Sequence, residues 1–549
     1  MHGCLRLAEI LEVIFHFVFN SRPLDSGLGV SLQFPLPALT SPPYAQDPRS
    51  ILQLALTCST FRDLALDVLY SDLRDPLPLF CYLSPKLCYS HRPSPVDNTP
   101  EQLRTLVLRA ARVHIFFNPG SQLGTDSACY SFFLRILASA PKVTPLFPKL
   151  HSLTWYDSDL TSIPTLSLFL PTLETLSLYI QNEPFCKAVI PGLRTAAPRL
   201  KALEFRGVNL TRDSTSEIES LLLSYPEGLT ALSLLCCDIS SSLLHHIAPW
   251  PRLQWLTLQL DSNSIRTVPL HVLQPFPALT HLHISCKSLG LCKSFLRAFQ
   301  ILRMGSDTRS FGCRNLKTIH VNAKRCSPAS IWSEFLSILA RTELEHIILS
   351  EGCYRHAQLC LAPTPFEFHP LLVRPTTLAD LRTLIISPVF TSSIALTDSD
   401  ILTLARTCPY LEILNLGVSN TPVSLYALGI LVSRCRELCD VSLCVDARLD
   451  ALGAAPLNDD NQVALQPNTR LRKLFIGFSP IACVGPLDSP TAPDLMRSIP
   501  RFLNTMAPRL FRILQIEAEE GLQKMYEERW NVVSDTLKAM AKGEVDDGN

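Results

Sequence analysis

The chain has 549 residues, 47% of them hydrophobic, and its 49 Lys and Arg balance 49 Asp and Glu. A net charge of zero argues against a nucleic-acid-binding protein and against a protein held on membranes by charge, because both classes normally carry basic patches. The 19 cysteines form no Cys-x-x-Cys pair, and many stand at apolar positions, for example Cys408, Cys435, Cys439 and Cys444. Since free cysteine packs as a small hydrophobe, we expect a reduced protein of the cytoplasm or nucleus.

The first element predicted is an amphipathic helix over residues 6–19, in which Leu7, Ile10, Leu11, Ile14 and Val18 follow helical spacing. Acidic residues interrupt its apolar run and no basic segment precedes it, so we expect neither a signal peptide nor a membrane span. A stretch rich in Pro and Ser at about 21–48 is predicted to be a loop insertion. Helical spacing returns over 51–61 and 64–69, with a break at 57–60. Such short helices bury little surface alone, and one interpretation is a cap for the array that follows.

These segments resemble an F-box, particularly that of fungal (basidiomycete-type) F-box proteins with C-terminal leucine-rich repeats. The resemblance rests on the apolar first helix, on Leu54-Ala55-Leu56-Thr57-Cys58-Ser59-Thr60-Phe61, and on Ala65-Leu66-Asp67-Val68-Leu69-Tyr70. Ala8 stands where the family usually has a proline. The resemblance implies that the helices dock on a Skp-type adaptor, which links to a cullin. Carried over by position, the implied adaptor contacts are Leu5, Leu7, Ile10, Leu11, Ile14, Leu54, Ala55, Cys58 and Phe61, each of which could equally serve the internal core of the helices.

A phrase of the form Leu-x-x-Leu-x-Leu recurs along the rest of the chain. Its copies begin at Leu150, Leu173, Leu200, Leu229, Leu253, Leu279, Leu316, Leu344, Leu381, Leu411, Leu438, Leu471 and, in degraded form, Leu510, with an isolated early copy at Leu103, Leu106 and Leu108. The intervals from Leu150 onward are roughly 23 to 39 residues, near or above the period of leucine-rich repeats. In a strand, alternate side chains share a face, so the second and third leucines point inward together and neighbouring repeats stack. The sequence therefore predicts an α/β leucine-rich-repeat solenoid with parallel strands.

The clearest repeat unit spans 397–443 and resembles the cysteine-containing repeats often found behind an F-box. Its helix starts at 397–400, where Asp398 or Ser399 could cap the first amide groups. We predict a helical module at 1–74, a linker at 75–100, the solenoid at 101–516, a C-terminal capping helix at 517–542 and a disordered tail at 543–549.

The strand phase predicts which side chains point outward. In four successive strands they include Trp255, Thr257, His281, His283, His320, Asn322 and His346, which would form one patch. Three interpretations remain open: tolerated half-polar residues, a surface for a protein partner, or a metal site. No carboxylate or cysteine lies in the same rows, so no metal site is assigned.

No catalytic motif is present, neither a Gly-x-Ser-x-Gly elbow nor a glycine-rich phosphate loop nor His-Glu-x-x-His. The paired His245 and His246 fit a return helix and the paired Asp459 and Asp460 a polar loop. We therefore expect no enzyme and no cofactor. The resemblance predicts the substrate-recognition subunit of a Skp–cullin–F-box type ubiquitin ligase, whose repeats bind a protein substrate that the sequence does not identify. The alternative is a leucine-rich-repeat scaffold with no ligase connection.

Overall fold

The computed structural model describes most of the chain, in segments separated by gaps. The described residues are 8–19, 22–23, 44–45, 48–74, 79, 100–118, 146–157, 171–180, 183–207, 212–225, 228–236, 239–260, 275–298, 313, 315–352, 365–388, 393–417, 420–448, 466–477, 479–481, 492–515 and 522–541. They fall into two compact units, Met1–Gln259 and Leu260–Asn549. The predicted tail at 543–549 and most of the predicted linker lie outside them.

The first unit begins with three helices, α1 (Ala8–Phe19), α2 (Pro48–Thr57) and α3 (Ser59–Ser71). We call them the helical module. Its core consists of the buried residues Leu11, Phe15, Phe19, Ile51, Ala55, Ala65 and Val68. Within the predicted insertion, β1 (Arg22–Pro23) pairs antiparallel with β2 (Tyr44–Ala45), and the residues between them lie outside the described part.

The helical module leads directly into the sheet. Helix α3 ends at Ser71, and β3 (Asp72–Leu73) pairs in parallel with β4 (Ile115–Asn118), so the sheet begins before the predicted module boundary at residue 74.

Helix α4 (Pro100–Ala110) occupies the segment where the early leucine copy predicted a strand, and this prediction is wrong. Leu106 and Ala110 are buried whereas Leu108 is exposed. A strand would place Leu106, Leu108 and Ala110 on one face, whereas a helix places Leu106 and Ala110 together and turns Leu108 to another side.

The first unit continues with parallel strands in sequence order. They are β5 (Ser152–Asp157), β6 (Thr175–Ile180), β7 (Ala202–Gly207), β8 (Ala231–Leu234) and β9 (Trp255–Leu260). Return helices α5 (Glu183–Ala196), α6 (Arg212–Leu223) and α7 (Ser241–Ile247) connect the last four. The second leucines of the repeats, Leu153, Leu176, Leu203, Leu232 and Leu256, share one register position and are buried. Each contributes roughly 1.5–3 kcal/mol to the core.

The second unit repeats this arrangement. Its main parallel strands are β10 (His281–Cys286), β11 (Thr318–Ala323), β12 (His346–Glu351), β14 (Thr383–Ser387), β16 (Ile413–Asn415), β18 (Asp440–Ser442), β20 (Lys473–Gly477) and β21 (Arg512–Gln515). Short parallel pairs join β13 (Phe366–Glu367) to β15 (Ile394–Ala395), and β17 (Val423–Ser424) to β19 (Val445–Asp446). Its helices are α8 (Leu289–Ala298), α9 (Ala329–Leu339), α10 (His369–Leu372), α11 (Asp398–Thr407), α12 (Leu425–Arg434), α13 (Ala492–Met506) and α14 (Leu522–Ala541), with a 3-10 turn at Pro375–Leu378. Parallel strands joined by such returns confirm the predicted α/β leucine-rich-repeat solenoid.

The start of α11 differs from the sequence prediction in its capping residue. Thr397, rather than Asp398 or Ser399, is the N-cap, and it forms a capping box with Asp400. The Thr397 hydroxyl accepts from the Asp400 amide at 3.2 Å, and the Asp400 carboxylate accepts from the Thr397 amide at 2.9 Å. The Thr397 amide gains its acceptor through this capping box, while the Asp400 amide also donates to the backbone oxygen of Thr397 at 3.1 Å.

The C-terminal helix α14 packs on the end of the second unit, against α13 and β21. Its buried side includes Trp530, Val533 and Leu537. The Trp530 indole N–H donates to the backbone oxygen of Ser479 at 2.9 Å. The described cysteines are free thiols; Cys408, Cys435 and Cys444 are buried as expected, whereas Cys439 is exposed.

Candidate protein-binding surfaces

The helical module exposes an apolar stripe on each of its first two helices. On α1 the exposed residues are Ile10, Val13, Ile14 and Phe17, with Val13 and Phe17 exposed by 69% and 76%. On α2 they are Leu52 and Leu56. Spacings of three and four residues place each set on one side of its helix. We call these six residues the module face.

The module separates the predicted adaptor contacts that the structure describes into three groups, exposed, buried and partly buried. Ile10 and Ile14 belong to the module face, whereas Leu11 and Ala55 are buried in the module core. Leu54 and Phe61 are partly buried and pack on that core, the Phe61 ring meeting Phe15 edge-to-face at 5.7 Å between centroids. Cys58 is half-buried at the N-cap position of α3.

Leu5 and Leu7 lie outside the described residues. Sequence reasoning missed Val13, Phe17, Leu52 and Leu56, for which the only signal was that both helices are apolar on more than one side.

In the first unit the predicted outward residues form three registered rows across the strands. The row of Ser152, Thr175, Ala202, Ala231 and Trp255 ends in a tryptophan that packs on the two alanines. Because its neighbours in the row are small, the Trp255 indole is only 9% exposed. Thr257, in the next row, is 2% exposed. Both predicted residues alternate with the buried leucines along β9, and they present little accessible surface.

The middle row of the first unit contains a buried carboxylate. Glu204 is 2% exposed and accepts hydrogen bonds from the hydroxyl of Ser177 at 2.7 Å and that of Ser233 at 3.3 Å, on the neighbouring strands. Glu204 also forms an ion pair with Arg206, whose Nε donates a hydrogen bond to Glu204 Oε1 at 2.7 Å. Hydrogen bonds from several donors make the burial of this charge tolerable. We call these four residues the Glu204 network.

Aromatic residues adjoin the Glu204 network in the third row. The ring of Tyr156 stacks on that of Tyr179 at 5.3 Å and lies 5.4 Å from that of Phe117. Burial disfavours the charged form of Arg206, but Glu204 and Tyr156 more than compensate and hold the pKa of its guanidinium above the usual value. For Tyr156, by contrast, burial itself raises the pKa, because it disfavours the charged phenolate. These shifts favour a charged Arg206 guanidinium and a neutral Tyr156 phenol.

In the second unit the predicted histidines occupy two adjacent rows. His281, Thr318, His346 and Thr383 share one row, and His283, His320, Ile348 and Ile385 share the next. The rings of His283 and His320 stack face to face, 4.2 Å apart with planes 7° from parallel. His346 Nδ1 lies 3.0 Å from the hydroxyl of Thr383. The structure thus brings the four histidines together on neighbouring strands.

Burial favours the neutral form of three of these imidazoles, His281, His320 and His346. It lowers the pKa of His320, which is 7% exposed, to about 4, and it lowers the pKa of His281 and His346 as well. His281, His283, His346 and Asn322 remain half-buried. A face of neutral, half-buried imidazoles favours hydrogen bonding with polar partners over recognition of anions.

The other sequence-predicted features contribute to scaffold rather than to a site. Phe366 and Phe368 are buried, and the Phe366 ring stacks on Trp332 at 4.7 Å. His245 and His246 lie in the return helix α7, whose N-cap Ser240 accepts from the amide of Leu243. Asp459 and Asp460 lie outside the described residues.

Neither a metal centre nor a membrane span emerges from the part of the chain that the structure describes. No group of three or more His, Cys, Asp or Glu side chains lies close enough together there to hold a metal ion. No helix in that part combines the length and the apolar character needed to cross a bilayer.

Comparison with known proteins gives structural likenesses alone. No family model and no curated protein matches the sequence. Solved structures with similarity include an internalin from Listeria monocytogenes (14% identity, TM-score 0.32, covering 63% of this chain and 80% of that one) and the yeast complex of Rad7 and Elc1 (16% identity, TM-score 0.34, 73% and 87%). A third is the leucine-rich-repeat ectodomain of the Arabidopsis receptor kinase HAESA in complex with an IDA peptide hormone (12% identity, TM-score 0.21, 62% and 72%).

Proposed function

We propose that this chain is the substrate-recognition subunit of a Skp–cullin–F-box type ubiquitin ligase. The helical module holds a Skp-type adaptor, and through it a cullin, while the repeats bind the protein to be modified. The chain performs no bond chemistry in this role; it contributes proximity between a target lysine and the transferring enzyme. The observation that carries the proposal is the module face, a set of exposed apolar residues on α1 and α2.

The module face is suited to a protein partner for a physical reason. Apolar side chains such as Val13, Phe17 and Leu56 gain free energy when a partner removes them from water. One-sided helical stripes fit an apolar groove, a common mode of helix recognition. The core residues Leu11 and Ala55 have a different part in this proposal: they hold α1 and α2 in place and do not touch the adaptor.

The test is binding of the full chain to a purified Skp-type adaptor, measured by calorimetry. The variant Val13→Asp/Phe17→Asp should weaken binding at least roughly tenfold, since two desolvated apolar contacts are replaced by charges. The matched control is Val107→Asp/Leu108→Asp, which alters two exposed apolar residues of α4 in the same unit. Absence of binding by the unaltered chain, or an equal loss in the control, would remove the ligase assignment.

A scaffold with no ligase connection is the second candidate function. One observation favours it: the helical module adjoins β3, the end strand of the first unit's sheet, where a repeat array needs a cap. In that case the chain would bind its protein partner without recruiting any adaptor, and the same calorimetric experiment separates the two functions.

A further inference from the structure

A cavity of about 570 Å³ opens in the first unit at the edge where strands β6 to β9 begin. Among the described residues that line it are four cationic side chains, Arg194, Arg199, Lys201 and Arg252, and one carboxylate, Glu174. Glu174 pairs with Lys201 at 2.8 Å. The described lining therefore carries a net excess of three positive charges, in a chain whose total charge is zero. Glu227, next to the lining residue Gly228 in sequence, lies outside the described residues.

The repeat register explains why the cavity is open. Arg199, Gly228 and Arg252 each precede the first leucine of their repeat, so they occupy equivalent positions before β7, β8 and β9. Gly228 has φ +73°, and a Cβ atom there would lie 2.6 Å from the ring of Trp250. The middle repeat consequently has glycine where its two neighbours have arginine, and space remains between the two guanidinium groups.

A second lining residue indicates the polarity of the ligand. Tyr225 is 7% exposed, and within the described part of the chain its buried hydroxyl has no hydrogen-bond partner. Burial raises the pKa of Tyr225 to about 12, although the charge of Arg194 opposes this rise, so the hydroxyl is a donor at neutral pH. A buried donor without an acceptor is costly, and an anionic oxygen would satisfy it.

We propose that this cavity binds an acidic segment of a protein partner, in extended conformation, through Arg194, Arg199 and Arg252. Strands lie about 4.8 Å apart, so equivalent positions two repeats apart are separated by about 10 Å. An extended peptide in the polyproline II conformation has three residues per turn and rises about 3.1 Å per residue, so carboxylates three residues apart lie on the same side and match that separation. This inference rests on the proposed role of the repeats in binding a protein, and it does not depend on the adaptor contact.

The same geometry disfavours other anions. A single phosphate group is much smaller than the separation of about 10 Å between the positions of Arg199 and Arg252. A nucleic acid would be expected to meet a wider basic surface, whereas the chain as a whole is neutral. Because Arg199, Lys201 and Arg252 are exposed, the interaction should weaken as salt is added.

The experiment measures fluorescence anisotropy of a labelled octa-aspartate peptide with the full chain, at low and high ionic strength. Arg199→Glu/Arg252→Glu should weaken binding at least roughly tenfold, because it replaces two attractions by repulsions. Arg341→Glu/Arg406→Glu, which reverses two exposed arginines in the second unit, is the matched control and should bind like the unaltered chain. Tyr225→Phe removes only the hydroxyl and should weaken binding by roughly three- to tenfold.

Several results would overturn the proposal. They are equal binding of a labelled octa-asparagine peptide, an equal loss in the control variant, and tighter binding of tripolyphosphate or of a single-stranded oligonucleotide than of octa-aspartate. Urea unfolding curves for each variant identify any loss that is caused by misfolding. Measuring both ligands with both variants tests this proposal independently of the proposed ligase function. Val13→Asp/Phe17→Asp should bind the acidic peptide normally, and Arg199→Glu/Arg252→Glu should bind the adaptor normally.

Discussion

In the first unit the middle outward row carries the charged side chain of Glu204, whereas the second unit places His283 and His320 in an outward row of its own. Both rows are closely packed by their neighbours, and Glu204 and His320 are both buried. The buried Glu204 carboxylate is compensated by hydrogen bonds that Arg206 and two serine hydroxyls donate to it. His320 gives up its charge instead, since burial lowers its pKa to about 4. A polar side chain in a packed row thus persists either with compensating partners or in a neutral form.

The largest effect should follow from removing the compensating cation of the Glu204 network. Arg206→Met leaves a carboxylate buried without its ion-pair partner, and we expect the free energy of unfolding to fall by about 3 kcal/mol. This value is at the lower end of the usual range because the Arg206 side chain keeps 21% exposure. Urea unfolding measures the change.

The control for this prediction is the double variant Glu204→Gln/Arg206→Met. It removes the buried charge together with its partner, so it should recover at least half of the lost stability. A double variant as unstable as Arg206→Met alone would show that Arg206 acts through packing rather than through its charge.

The second effect concerns pH in the histidine rows. The folded pKa of His320, about 4, lies below the unfolded value of 6.5, so the unfolded state binds the proton first. The contribution of neutral, buried His320 to the free energy of unfolding is complete above pH 6.5 and is lost as the pH falls towards 4. Between pH 7 and 4.5 this residue should reduce the free energy of unfolding by about 2–3 kcal/mol.

The measurement compares unfolding of the unaltered chain with that of His320→Leu at both pH values. Leucine suits the row because its neighbours include Ile348 and Ile385. The variant should show a shallower pH dependence by the stated amount, since the other titrating groups are common to both proteins. Parallel pH profiles would mean that His320 has an ordinary pKa.

The smallest effects should come from the serines around Glu204. Ser177 donates to Glu204 at 2.7 Å and Ser233 at 3.3 Å. Hydrogen bonds to charged groups contribute about 1.5–3 kcal/mol, and the shorter one should contribute more. We therefore expect Ser177→Ala to destabilise the chain by about 2 kcal/mol and Ser233→Ala by about 1 kcal/mol in urea unfolding. The reverse order would contradict the hydrogen-bond geometry.

The sequence predicted the strands well because inward leucines at every second position are required by a shared core. Leu176, Leu203 and Leu232, for example, occupy one register position as expected. The exception is Leu103, Leu106 and Leu108, where the same phrase lies in helix α4. Spacings of three and of two residues both occur in the phrase, so it fits either structure, and packing against the rest of the chain decides.

The candidate site was predicted less completely, because exposure depends on packing between elements. Leu11 and Ile14 both fit an apolar stripe on α1, yet one is buried in the module core and the other is exposed. Trp255 was predicted to point outward, and the structure packs it in a buried cluster with Ala202 and Ala231 of the same row. The cavity between Arg199 and Arg252 depends on the turn at Gly228, which the leucine pattern does not reveal.

The direct junction between α3 and β3 has a mechanical consequence. Ser71 ends the helix and Asp72 begins the strand, so no tether separates the helical module from the first repeats. A protein bound to α1 and α2 would therefore be held at a nearly constant distance from a protein bound to the first repeats. Inserting glycine and serine residues between Ser71 and Asp72 should leave binding at both places unchanged while widening the range of distances between the two bound proteins.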